Sequence, residues 1–303
     1  MPPLRDILKL LFHRRSPADD IGIVSPPYVP TYAEPDLEAI RHPDPEQIQL
    51  TWVGHSTFLI QMNGMNILTD PIWGERASPV SFLGPKRVAR PGMRFEDLPK
   101  IDLVLISHTH YDHLDRPTVL RLRNMAHYIV SSGITKWFAR EGITNVSEHA
   151  WWEKETVNGI TITAVPAQHW SKRGLIGTDG AGAGGFVIET SRGTIYFAGD
   201  TGYNEKYFKE IGERFKDITV SLLPIGAYDP RWFMQRFHLN PPEAIRVHQE
   251  VGSKHSIGMH WGTIKMTTEP LAEPPLYLVR ETRAAGLPDD AFTIMKIGET
   301  RYF

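Results

Sequence analysis

The chain has 303 residues, is 41% hydrophobic and 22% charged, carries a formal charge of −2 and contains no cysteine. That length fits one large α/β domain or two smaller ones, with enough apolar residues for a sizeable core. The charge balance excludes a protein that binds nucleic acid by neutralising phosphates. Missing cysteines exclude disulfides and thiolate ligands or nucleophiles, and are compatible with a cytoplasmic location. No apolar run approaches the roughly 20 residues that span a bilayer.

Leu4, Ile7, Leu8 and Leu11 fall at i, i+3, i+4, i+7 spacing with basic residues between and after them. Residues 4–15 therefore read as a basic amphipathic helix, suited to a membrane surface, to a second subunit or to packing on its own domain. The stretch to residue 47 carries Pro17, Pro26, Pro27, Pro30, Pro35, Pro43 and Pro45 and reads as an extended arm. Residues 1–47 thus read as an N-terminal arm and residues 48–303 as the folded domain. Strands are expected at residues 50–53 and 57–62, followed by a turn at Asn63-Gly64 and a strand ending at Asp70. Leu103–Ile106 reads as a buried strand and Arg116–Met125 as a helix with Pro117 in its first turn. Further strands are expected at residues 128–131, 160–165, 185–189, 194–197 and 220–224, and helices at 135–141 and 240–250. Gly180–Gly185 lacks the Lys-Ser/Thr of a phosphate-binding loop and reads as a loop before a strand.

His108-Thr109-His110-Tyr111-Asp112-His113 follows the 103–106 strand directly. Three imidazoles and a carboxylate within six residues suit a borderline metal ion that takes N and O ligands. His108 and His110 point one way on an extended chain, while Asp112 and His113 can swing towards a second point. That arrangement suits two metals better than one.

The HxHxDH pattern resembles the signature of the metallo-β-lactamase superfamily. The resemblance implies an αββα sandwich of two mixed β-sheets with helices on the outer faces, and more ligands from distant segments. Val165-Pro166-Ala167-Gln168-His169, Phe197-Ala198-Gly199-Asp200 and Gly258-Met259-His260 offer a His, an Asp and a His in that order, each after an apolar run. On this reading His108, His110 and His169 hold one metal, Asp112, His113 and His260 the other, and Asp200 bridges. The cofactor is then two Zn²⁺ per chain, with iron or manganese as the other metals such donors accept. Asp70 is a candidate to orient the ligand histidines, and His55, at a family position, either bridges loops or serves catalysis. Asp112 is also a candidate to pass a proton to the leaving group.

Trp52-Val53-Gly54-His55, Gly84-Pro85-Lys86-Arg87, Gln168-His169-Trp170 and Ala227-Tyr228-Asp229-Pro230-Arg231-Trp232-Phe233-Met234 narrow the likeness. They resemble the N-acylphosphatidylethanolamine-hydrolysing phospholipase D branch, from about Leu50 to the C-terminus. The resemblance implies a membrane-binding homodimer with a phospholipid substrate, in which a metal-bridging hydroxide releases N-acylethanolamine and phosphatidic acid. His238 matches a histidine that positions the headgroup. Where the family has Gln just before it, this chain has Phe237, which removes a hydrogen-bonding group. The alternative is a hydrolase of the same fold acting on a soluble sugar-phosphate lactone or cyclic phosphodiester. A cavity lined by Trp170, Tyr228, Trp232, Phe233 and Phe237 would favour lipid; a small basic pocket would favour the soluble substrate.

Overall fold

The computed structural model describes residues 5, 6, 9, 13, 15, 20–171, 173 and 182–303. Leu4, Ile7, Leu8 and Leu11 lie outside the described residues, as do Gly180 and Ala181 of the glycine-rich stretch.

Two seven-stranded sheets form the body. The first is built from β1 (Gln49–Gly54), β2 (Thr57–Met62), β3 (Met65–Thr69), β4 (Leu103–Ile106), β5 (His127–Ser131), β6 (Val146–His149) and β14 (Thr300–Tyr302), in the order β14-β1-β2-β3-β4-β5-β6. The second holds β7 (Lys154–Val157), β8 (Ile160–Pro166), β9 (Gly184–Thr190), β10 (Gly193–Phe197), β11 (Ile218–Pro224), β12 (His255–Met259) and β13 (Phe292–Thr293), in the order β13-β12-β11-β10-β9-β8-β7. Each sheet is antiparallel over half its width and parallel over the other half. The β3–β4–β5–β6 and β10–β11–β12–β13 neighbours are parallel. Among the described residues, the helices that can be bounded at both ends are α1 (Leu37–Arg41), α2 (Arg116–Leu122), α3 (Thr135–Arg140), α4 (Glu205–Arg214), α5 (Arg231–Met234), α6 (Pro241–Glu250) and α7 (Glu273–Ala284). None of the described helices is long and apolar enough to cross a membrane.

The side-chain period of two decides which layer each residue joins. Leu50, Trp52, Phe58, Ile60, Leu103 and Leu105 point between the sheets, where they meet Ile162, Phe186, Ile188 and Phe197. Their strand neighbours Val53, Leu59, Val104 and Ile106 point outward and pack beneath Val119 and Leu122 of α2 and Phe138 of α3. Strands buried on both faces explain the unbroken apolar run at residues 103–106.

Local chemistry sets the helix ends. Asp115 caps α2 by accepting from Thr118 N at 3.3 Å, and Pro117 occupies the first turn. The helix expected over Arg116–Met125 stops at Leu122 and continues as one 3-10 turn, because Arg123 turns to φ 45°. Asn240 and Glu243 form a reciprocal capping box at α6. Helices α1, α4, α5 and α7 and strands β6, β7, β13 and β14 have no counterpart in the sequence expectations, and α1 interrupts the arm expected to be extended. In α4 only Phe208 and Ile211 are buried among ten residues, too sparse an apolar face to stand out. The arm lies on the sheets: Ala33 N donates to Ile297 O at 2.9 Å and the Tyr28 hydroxyl to Gly262 O at 2.7 Å.

Candidate metal centre

The centre gathers where parallel strands end. Ser107 and His108 follow β4, Asp200 follows β10 and His260 follows β12, while Asp70 follows β3 and His169 lies three residues beyond β8. Carboxyl ends of parallel strands are where an α/β sheet opens a crevice. Gly199 makes the approach of Asp200 feasible: at φ 60°, a Cβ there would meet Ser107 Cβ at 2.7 Å and Gly184 O at 3.0 Å. His55, Asp70 and His260 adopt φ values of 58°, 33° and 59°. Left-handed backbone at three non-glycine residues is strain, held by the surrounding packing.

Two groups of donor atoms face each other. His108 Nε2 lies 2.9 Å from His110 Nδ1, which lies 3.2 Å from His169 Nε2. Asp112 Oδ2 lies 3.2 Å from His113 Nε2 and 3.2 Å from His260 Nε2. Asp200 Oδ2 sits between the groups, 3.1 Å from His113 Nε2, 3.2 Å from His260 Nε2, 3.9 Å from His108 Nε2 and 4.0 Å from His169 Nε2. Donors held about 2.0–2.1 Å from a tetrahedral ion lie roughly 3.3 Å apart. The spacings within each group lie close to that edge length, so the donor set fits metal binding. Asp200 leans towards the second group while staying within reach of the first.

Hydrogen bonds decide which atoms are offered. His113 Nδ1 donates to Asp70 Oδ2 at 2.6 Å, which leaves Nε2 for the centre. Ser107 donates its backbone N–H to Asp70 Oδ1 at 2.8 Å and its hydroxyl to Asp70 Oδ2 at 2.5 Å. The same hydroxyl oxygen accepts from His108 Nδ1 at 2.9 Å. His169 Nδ1 donates to Phe237 O at 2.9 Å. One carboxylate therefore fixes His113 directly and His108 through a serine, the carboxylate–histidine arrangement of metal sites. His55 Nε2 donates to Asp112 Oδ2 at 2.9 Å, while its backbone N–H donates to Thr263 Oγ1 at 2.9 Å. His55 thus holds Asp112 rather than merely joining loops.

Several buried atoms of the cluster have no hydrogen-bond partner: His110 Nε2, His113 Nε2, His238 Nδ1, His260 Nδ1 and Asp200 Oδ1. Of these, His113 Nε2 is one of the donor atoms that face the centre, where a bound ligand would satisfy it. Electrostatics points the same way. Burial would raise the Asp112 and Asp200 carboxyls, but the imidazoles, His113 foremost, hold both well below the carboxylate range. Burial keeps His108, His169 and His238 below the usual imidazole range and His110 and His55 down to about 3. At His260 burial is overcome by Asp200 and Asp112, which push it up to about 9, and His113 is raised for the same reason. Two ionised carboxylates demand positive charge at the centre, supplied by protons on His113 and His260 or by metal ions.

A cavity of about 290 Å³ opens on the centre. Its wall includes His110, Asp112, Asp200 and His238 together with Trp170, Phe233 and Phe237. His238 Nδ1 is 3.9 Å from Asp200 Oδ2. Tyr228 and Trp232 are placed elsewhere, which corrects the expected lining. The Tyr228 hydroxyl donates to Glu273 at 2.7 Å, and Glu273 is also gripped by Arg15 of the arm at 2.8 Å. Trp232 faces His13 and the Lys9 ammonium, the latter 4.5 Å from its ring. Residues that sequence reasoning missed complete the wall: Ala77, Tyr111, Ala227, Met234, Met266 and Thr267. Glu269 braces it, accepting from Ala227 N at 2.7 Å and from Thr267 Oγ1 at 2.8 Å. Ser107, between a buried strand and the histidine motif, is a further residue that the sequence does not mark.

Comparison with known proteins agrees with this geometry. Residues 65–261 match the beta-lactamase superfamily domain. The N-acyl-phosphatidylethanolamine-hydrolyzing phospholipase D 1 of Caenorhabditis elegans is 42% identical over 264 residues, covering 82% of this chain and 74% of that protein. The mitochondrial enzyme of the same name from Saccharomyces cerevisiae is 34% identical over 261 residues, covering 84% of this chain but 55% of the yeast protein. A metallo hydrolase from Ignicoccus hospitalis shares the fold, with a TM-score of 0.64 at 24% identity over 85% of this chain and 98% of its own. The chain is a metal-dependent hydrolase of the metallo-β-lactamase superfamily and belongs to its N-acylphosphatidylethanolamine-hydrolysing phospholipase D branch.

Proposed function

We propose that this chain is a dinuclear zinc phosphodiesterase that hydrolyses N-acylphosphatidylethanolamine-type phospholipids to N-acylethanolamine and phosphatidic acid. The observation that carries the reading is the 42% identity to the nematode phospholipase D over 264 residues. His108 Nε2, His110 Nδ1 and His169 Nε2 would hold one ion, Asp112, His113 Nε2 and His260 Nε2 the other, with Asp200 between them. When bound, the metals supply a water ionised at neutral pH and positive charge for the attacking and leaving oxygens.

The remaining work falls to the side chains. His238 presents an unpartnered Nδ1 at the cavity wall, where it can donate to a phosphate oxygen and orient the headgroup. In the reaction a P–O bond to water forms, the P–O bond to the ethanolamine oxygen breaks, and that oxygen takes a proton. Asp112 lines the cavity, where its carboxylate stands nearest to relay this proton. Trp170, Phe233 and Phe237 offer apolar surface beside the centre. A volume of about 290 Å³ sits at the lower edge of ligand cavities, which run to about 1,000 Å³. It suits a headgroup and not a set of acyl chains.

The soluble-substrate alternative is favoured by a neighbouring cavity of about 460 Å³, whose lining includes Arg76, Arg116 and Arg173. Product analysis separates the two. Zinc-loaded protein is incubated with N-acylphosphatidylethanolamine vesicles beside a His108→Ala control and the products are weighed by mass spectrometry. N-acylethanolamine and phosphatidic acid, absent in the control, are expected. A fully metallated protein that releases neither but cleaves a cyclic phosphodiester or a lactone overturns the lipid reading. Zinc rather than iron or manganese, and a homodimer, belong to the same proposal; elemental analysis and light scattering read them.

A further inference from the structure

Phe82 and Leu83 are 79% and 67% exposed, and among the described residues they are the only adjacent pair of large hydrophobics so exposed. They sit at the tip of the loop that joins β3 to the segment before β4. Exposed apolar residues scattered singly need no explanation, but a contiguous pair at a loop tip does.

The loop is built to keep them there. At its base Arg76 pairs antiparallel with Lys86, Ala77 N donates to Pro85 O at 3.0 Å, and Arg87 N donates to Glu75 O at 2.9 Å. Inside it, the Arg76 guanidinium donates to Ser81 O at 3.1 Å and to Gly84 O at 2.6 Å. Gly84 closes the turn at φ 97°, where a Cβ would meet Ser78 Cβ at 2.8 Å. Two tip carbonyls are therefore satisfied from within, as a backbone entering a medium without water requires. With the arginine filling the inside of the turn, Phe82 and Leu83 are left outside, and Val80 stands beside them at 37% exposure.

Position and charge name the surface this tip fits. Ala77, at the foot of the loop, forms part of the metal cavity wall, and Ser78 to Ser81 line the neighbouring cavity, which shares Tyr111 with the first. Residues 75–90 carry Arg76, Lys86, Arg87 and Arg90 against the single acid Glu75; Arg87 is buried, and Lys86 and Arg90 are exposed as is Glu75. An apolar tip with cations behind it matches a bilayer with anionic headgroups. We infer that the Ser78–Gly84 tip inserts Phe82 and Leu83 into a lipid surface and so sets the mouth of the metal cavity against the headgroups. This inference rests on the phospholipid reading above and adds the site of contact: chains too large for the cavity stay in the bilayer while the phosphodiester enters.

The absence of cysteine supplies a clean probe. Full-length Leu83→Cys, labelled with an environment-sensitive fluorophore, is mixed with vesicles of phosphatidylcholine and phosphatidylglycerol. In parallel, wild type and the double variant Phe82→Ser/Leu83→Ser are compared by vesicle sedimentation and by turnover of bis(4-nitrophenyl) phosphate in solution. The expected results are a blue-shifted, brighter label on vesicles and about tenfold or weaker partition of the double variant. Its turnover of the soluble diester is expected to be unchanged, which also reports that it is folded. A label that stays in water, with both proteins sedimenting equally, overturns the inference and moves any lipid contact to residues 4–15. Insertion of the label without phospholipid cleavage would leave the docking tip standing and reject the lipid substrate.

Discussion

The metal centre and the cavity wall touch each other yet are held by different physics. In the centre four ligands are each aimed by a directed hydrogen bond: Asp70 on His113, Ser107 on His108, the Phe237 carbonyl on His169, His55 on Asp112. In the wall, Phe233, Phe237, Met234 and Met266 are placed by packing, with Phe233 and Phe237 rings 5.9 Å apart and Phe237 and Trp170 rings 6.3 Å apart. Hydrogen bonds fix angles, whereas apolar contacts fix only proximity. One region therefore sets the chemistry within narrow tolerance and the other tolerates change, so substrate range can drift while the centre stays intact.

Substitutions that act on only one region break or sharpen this contrast. Asp200→Ala removes the oxygen that lies within 3.1 to 4.0 Å of four ligand imidazoles. Elemental analysis should find both ions depleted, and activity should fall by about a thousandfold or more, near 4 kcal/mol of transition-state stabilisation. Asp70→Asn keeps the shape but weakens the grip on His113 and on the serine that aims His108. Metal affinity measured by chelator competition should drop by about 10–100-fold. His238→Ala should leave metal content at the wild-type level while kcat/KM for phospholipid falls about tenfold, a loss near 1.4 kcal/mol. Smallest is Phe237→Gln, a wall change, for which headgroup preference in competition assays should shift by a few-fold with metal affinity unaltered. A large metal loss in this last variant would show that wall and centre are one mechanical unit after all.

The same contrast explains what could be read from the sequence. His108 to His113 are marked by their own density of donors just beyond an apolar run, while His169, Asp200 and His260 also follow apolar runs and are singled out by the resemblance to the superfamily's ligand order. Asp70 was legible as a carboxylate at a strand end. Its partner Ser107 was not, because a serine before the motif has no pattern of its own. The wall escaped further. Ala77 and Met266 come from long connections with no periodicity, and Tyr228 carries the same aromatic signal as Phe233 although it turns inward to Glu273. Composition cannot tell an aromatic residue facing substrate from one facing a buried ion pair. Strands β6 and β7 were missed because partial exposure on both faces removes the apolar run that betrays a central strand.

Metal stoichiometry tests the central claim, two donor groups sharing Asp200, most directly. Purified protein is saturated with zinc, freed of excess and weighed for metal per chain, beside His110→Ala. Two ions per chain are expected in the wild type and one in His110→Ala, because Asp112, His113, His260 and Asp200 remain a complete set. A single ion per chain in both proteins would contradict the claim.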